Sequence, residues 1–235
     1  MHIISESYSK KIDSCLNAIT YFGSDLKTTL EKYKSQNFVD SNIHKRDLFY
    51  SIFKKKLSES QLDFINAKCQ SLKHFMDKRM PHEYAIDLAL GWIFEDCILN
   101  FLNQRGVKSF LSGNDRYREF LTAKKISTQP DIVFISSNEN IISLEIFCDW
   151  KDTWFSQNHA DLRDNKFNRL VEKNSYLLGV SPSQSLGFLM NVKEQKDSFE
   201  FKKIYGYGGK FGFTHKNIKS ELRPLEEIAM KLINL

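Results

Sequence analysis

Three carboxylates and an amine stand close together in PDIVFISSNENIISLEIFCDWKDTW, residues 130–154: Asp131, Glu145, Asp149 and Lys151. Carboxylates hold divalent cations, and a lysine beside them can stabilise developing negative charge or orient a water molecule. Strand side chains alternate between faces. From residue 142 the even positions, Ile142, Leu144, Ile146, Cys148 and Trp150, suit a core, whereas the odd positions, Ser143, Glu145, Phe147, Asp149 and Lys151, form a charged face. The polar SSNEN segment supplies a turn that folds the run begun by Pro130-Asp131 back onto the second run. A tight turn returns Asp131 to the neighbourhood of Glu145 or Phe147, and a looser one brings it to Asp149. Either way two carboxylates meet across neighbouring strands and repel one another unless a cation lies between them. Oxygen ligands of this kind suit magnesium, which takes one or two carboxylates together with substrate phosphate and water.

A further carboxylate lies upstream. PHEYAIDLALGWIFEDCILNFLNQRG reads as a helix with Pro81 in its first turn and Gly106 as its stop. It is apolar almost all round, so it belongs at the centre of the fold. Glu95 shares a face with Leu88, Gly91, Trp92, Ile98, Leu99 and Leu102. A carboxylate in such a stripe requires a salt-bridge partner or a metal.

Pro-Asp, a spacer, then an acidic residue, any residue and a lysine resembles the signature of the PD-(D/E)XK nuclease superfamily. PD at 130–131 and DWK at 149–151 match it literally. The segment SLEIF also sits like the family's acidic strand, with Glu145 as the carboxylate and Phe147 in the lysine place. In this superfamily a helix carrying a glutamate often precedes the motif strands and a helix with basic residues follows; GWIFEDCILNFL with Glu95 and DLRDNKFNRL occupy those places. The resemblance spans about residues 81–192 and is strongest to type II restriction endonucleases. It implies magnesium-dependent hydrolysis of phosphodiester bonds at a specific sequence in double-stranded DNA by a homodimer, one site for each strand; a DNA repair or junction-type nuclease of the same fold and a non-catalytic DNA-binding module are the alternatives. Asp131 and Glu145 are the favoured metal pair, with Asp149 and Lys151 flanking them; Asp131, Asp149 and Lys151 are the alternative set. Glu145 and Lys151 lie about 20 Å apart on a straight strand, too far to share one metal's ligand shell. Glu95 would hold a second metal through water or orient the first shell.

The elements that must position these groups are an α/β core. From residue 81 the order is helix, strand, strand, strand, helix, strand, which implies a mixed central sheet flanked by helices, restriction-endonuclease-like in its resemblance. HADLRDNKFNRLVEKN reads as a helix that puts Arg163, Lys166 and Arg169 on one broad face, able to clamp phosphates. Lys124 and Lys125 precede the Pro-Asp and would line an entrance. FEFKKIYGYGGKFGFTHK reads as a strand pair around Gly208-Gly209, with Lys210 as a DNA-binding candidate; its aromatics are either core or groove-entering. SLGFLMNV reads as a buried strand and RPLEEIAMKLINL as a closing helix. Residues 1–80 read as a helical accessory region before a core of 81–235, or as part of one continuous domain. Ile12, Leu16, Ile19, Phe22, Leu26 and Leu30 recur there at helical intervals, and Ser58 is the expected N-cap of a later helix.

Composition narrows the classes. The chain has 235 residues, 41% of them hydrophobic, enough for a sizeable core. Its net charge of +5 permits a nucleic-acid partner without requiring one. Cys15, Cys69, Cys97 and Cys148 form no CxxC pair, and MHIISESYSKK is no secretory signal, so reduced thiols in a cytoplasmic protein are expected. The histidines lack zinc-ligand spacing, and no apolar run approaches membrane-spanning length.

Overall fold

A computed structural model of the chain describes residues 1–34, 36, 42–71, 79–120 and 129–235. Lys124 and Lys125 lie outside the described residues. Two units divide the chain: Met1–Ile98 with Asn114–Ser127, and Leu99–Gly113 with Thr128–Leu235.

The first unit carries β1 (His2–Ile3), α1 (Glu6–Tyr21), α2 (Leu26–Glu31), α3 (Lys45–Phe53), β2 (Lys56–Leu57), α4 (Glu59–Ser71) and most of α5 (Pro81–Gln104). Gly23, at φ +67°, ends α1 in the left-handed conformation that lacks a Cβ penalty. Asp25 then starts α2 by accepting a hydrogen bond from the Thr28 amide at 2.8 Å. Ile12, Ile19, Phe22 and Leu30 are buried, as their spacing requires. Ser58 opens α4 through a reciprocal capping box: its hydroxyl accepts from the Gln61 amide, and its own amide donates to the Gln61 side chain. The short β1–β2 pair has no counterpart in the hydrophobic pattern.

The second unit contains β3 (Ser109–Leu111), β4 (Ile132–Ile135), β5 (Ile141–Cys148), α6 (Thr153–Gln157), β6 (Ala160–Arg163), α7 (Asp164–Glu172), β7 (Tyr176–Ser181), β8 (Leu186–Asn191), β9 (Phe199–Ile204), β10 (Lys210–His215), β11 (Arg223–Pro224) and α8 (Leu225–Ile233). Its main sheet has six strands in the order β11-β8-β7-β5-β4-β3. Only β5 and β7 run parallel, joined by the crossover that contains α6, β6 and α7; the other pairs are antiparallel. This is a mixed α/β sheet flanked by helices. A second sheet, β6-β10-β9, lies in the same unit.

Two expectations require correction. Residues 160–163 form strand β6 rather than the start of a helix. Arg163 is therefore the N-cap of α7 and does not share a helical face with Lys166 and Arg169. The even face of β5 is not the only packed one. Leu144 is wholly buried on that face, yet Glu145 and Asp149 on the other are buried as well. The reason is the layer on the odd side: Trp154 of α6, Leu162 of β6, and Phe167 and Leu170 of α7 build a core there with Phe188 and Met190, and Phe147 packs against it. On the opposite face α8 approaches so closely that a Cβ on Gly187 would lie 2.9 Å from Leu225 Cδ2.

Candidate active site

The β4–β5 hairpin turns tightly. Ser136 donates its amide to the Asn140 carbonyl, and Glu139 supplies the left-handed residue at φ 62°. Ile132 consequently pairs with Leu144 and Val133 with Ser143. One step further in this register, Asp131 stands across from Glu145, and the Asp131 Oδ2 accepts from the Ile146 amide at 2.8 Å. Directly opposed antiparallel residues project from the same face. The tight turn thus sets Asp131 and Glu145 across from one another on neighbouring strands.

Glu145 is only 6% exposed. Its Oε1 receives Lys166 Nζ at 2.9 Å and Arg169 Nη2 at 2.8 Å, both from α7. Its Oε2 is buried with no hydrogen-bond partner. Lys166 also lies over the Phe147 ring, 5.7 Å from its centroid. The side chain that takes the lysine place on the strand therefore has an amine above it, delivered by a helix. Two of the cations expected to face DNA phosphates are instead drawn inward by a carboxylate, because an unpaired buried charge would be far costlier.

Asp149 has a different environment. Its Oδ1 accepts from the Lys151 amide at 3.2 Å and its Oδ2 from the Trp154 amide at 2.7 Å. This ties the strand exit to α6 and seats Trp154 against Phe147 and Phe188, with ring centroids 5.1 and 4.9 Å apart. Lys151 is exposed on the turn between β5 and α6. Lys210 is exposed at the start of β10.

In the first unit Glu95 is ion-paired with Arg118 at 2.5 Å. Arg118 also reaches Asp96 at 3.0 Å and the Trp92 carbonyl. Asp96 is 0% exposed and is further engaged by Lys32 at 2.5 Å and by the Tyr33 hydroxyl. Lys45 donates to the Arg118 carbonyl at 2.6 Å. Burial opposes the charge on Arg118, but Glu95 and Asp96 overcome it and hold its pKa above the ordinary arginine value. Burial, with Asp96 alongside, pushes the Tyr33 phenol up. Burial also draws the Lys32 amine down, against the pull of Asp96. Asp96 and Arg118 were not singled out in the sequence. The adjacent Glu95-Asp96 in an apolar helix was the available signal, since two such carboxylates demand cations from elsewhere.

Among the described residues, no group of three or more His, Cys, Asp and Glu side chains is arranged to hold a metal ion. The donor set of Asp131 and Glu145 fits magnesium, which needs no more than two protein carboxylates when phosphate and water complete its shell, and the partnerless Glu145 Oε2 is a ligand atom of the right kind. No helix among the described residues is long and apolar enough to cross a membrane. Comparison of the chain with protein-family models, curated proteins and solved structures returned no match.

Proposed function

We propose that the chain is a magnesium-dependent endonuclease of restriction type, hydrolysing phosphodiester bonds in double-stranded DNA, with Asp131 and Glu145 as its metal pair. The observation that carries this reading is the hairpin register, which opposes Asp131 to a Glu145 carboxylate whose Oε2 has no protein partner. The order of α5, three antiparallel strands, a crossover helix with basic residues and a parallel strand supports the PD-(D/E)XK resemblance. Magnesium bound there would supply Lewis acidity toward a phosphoryl oxygen and a more acidic water. The Ile146 amide fixes the orientation of Asp131. Lys166 and Arg169, which pair with Glu145, would donate to the negative charge that grows on a scissile phosphate. In this reading Lys166 takes the part that Phe147 cannot. A homodimer would provide one such site for each DNA strand.

A second reading, a DNA-binding module without catalysis, is favoured by the pairing of Glu145 with two cations of α7. Plasmid cleavage with magnesium separates the two. Asp131→Asn should bind DNA at least as well as the wild type while losing cutting. Full activity in that variant, or in excess chelator, would exclude the nuclease reading.

A further inference from the structure

The second sheet presents an apolar plate to solvent at the end of an aromatic ladder. Phe167 of α7 stacks on Phe213 of β10 with centroids 3.7 Å apart and planes at 12°. Phe213 meets Phe201 of β9 at 5.1 Å, and Phe201 stacks on Phe211 at 5.3 Å and 20°. The inner rings are core. The outer two are not: Phe201 is 54% exposed and Phe211 58%. The register explains why they share a face, since Phe213 pairs with Phe201 and Phe211 with Lys203. At the tip Tyr205 is 86% exposed, and Gly208 and Gly209 take left-handed conformations that let the chain reverse. Lys203, opposite Phe211, shares the face of these rings, whereas Lys202 and Lys210 are exposed on the other face of the same two strands, with Glu200 their one exposed acid.

We propose that this hairpin binds unpaired nucleotides, stacking bases on Phe201 and Phe211 while Lys203, on the same face, meets a flanking phosphate. Two near-parallel exposed rings with Lys203 beside them combine the two features that single-stranded nucleic acid requires, an aromatic surface and positive charge for the backbone. A paired base offers its face to its stacking neighbours, so a flat plate on a hairpin reads unpaired segments. An apolar protein partner would leave Lys203 without a counter-charge. The inference deepens the nuclease reading by naming a substrate feature, an unpaired stretch at or beside the cleaved duplex, and in that sense rests on it.

The test is fluorescence anisotropy of labelled oligo-dT and of a blunt duplex with the full chain, in chelator so that nothing is cut. Phe201→Ala/Phe211→Ala should weaken oligo-dT binding by roughly tenfold or more, as loss of base stacking does, while blunt-duplex binding and the melting temperature stay close to wild type. Phe201→Leu/Phe211→Leu should weaken it nearly as much, because it keeps apolar area and loses the aromatic face. Unchanged oligo-dT affinity in both variants overturns the proposal, as does restoration by leucine. So does a double variant that retains oligo-dT binding but loses self-association or adhesion to neutral phosphatidylcholine vesicles, which would assign the plate to a protein or a membrane. Cleavage by Asp131→Asn is a separate measurement: the stacking surface can stand if the nuclease reading falls, and the nuclease reading can stand if the plate binds nothing.

Discussion

Asp149 matches the nuclease signature by its letter, and its hydrogen bonds give it another task. Both oxygens accept backbone amides, from Lys151 and Trp154, so its removal frees the start of α6 and loosens Trp154. Asp149→Ala should lower stability by about 1–2 kcal/mol, the range for a lost cap, and keep substantial cutting in single-turnover assays. Glu145→Ala should abolish cutting, and it should also cost about 2–3 kcal/mol, below the usual penalty for a broken buried ion pair because Lys166 and Arg169 retain partial contact with water. Near-normal cutting by Glu145→Ala with Asp149→Ala and Lys151→Ala both inactive would transfer the site to Asp131, Asp149 and Lys151. His215 defines a second prediction at this scale. It is buried, its Nδ1 accepts the Asn217 amide, and its Nε2 has no partner. Burial lowers its pKa, with Glu221 pulling the other way. The folded protein therefore resists a proton that the unfolded chain takes up near the ordinary histidine value of about 6.5, so stability is lost as pH falls through that value toward the depressed one. His215→Asn should melt lower near neutrality and show a shallower fall between about pH 7.5 and 5.5. An equally steep fall in the variant would move the acid-labile group elsewhere.

Elements were legible in the sequence where local chemistry decides them. The strand begun at 142, the turn at SSNEN, the Ser58 cap and the stop at Gly106 are each decided within a few residues, and each has its counterpart in the structure. The layer on the odd face of β5 was not legible, because what buries Glu145 is α7, whose Lys166 and Arg169 come some twenty residues later by the crossover. Strand β6 escaped for a related reason. ADLR carries only two apolar residues, and its pairing partner β10 lies far along the chain. The Arg118 pairings with Glu95 and Asp96 are likewise invisible to any periodic reading of α5. Packing also explains a glycine that no turn requires. Gly179 sits mid-strand on β7 opposite Phe188, and a Cβ there would lie 2.1 Å from the Phe188 ring. Because Phe188 is itself held against Trp154, it has little room to withdraw. Gly179→Ala should cost about 1–3 kcal/mol by overpacking, read as a lower urea midpoint at unchanged slope. A neutral result would mean that the Phe188–Trp154 contact yields freely.

For the whole molecule, a net charge of +5 is too small to draw DNA in by itself, so any binding must come from cations placed at phosphates. Candidate cations differ in whether the fold has already engaged them. Lys166 and Arg169 are matched by Glu145, whereas Lys210 is exposed at the start of β10. Counterion release makes the distinction measurable: the slope of log affinity against log salt counts the phosphates that protein cations neutralise. With duplex DNA in chelator, Lys210→Gln should reduce that slope by about 1, the loss of one phosphate contact. Lys166→Gln should leave it unchanged, because in that state its charge is answered from within. The measurement is a salt titration of duplex affinity for the wild type and the two single variants, each checked by its melting curve. A drop in slope for Lys166→Gln equal to that for Lys210→Gln would show that DNA competes successfully with Glu145 for the α7 cations. The helix would then be a phosphate clamp even without metal, and the carboxylate pair would be released to whatever else it holds.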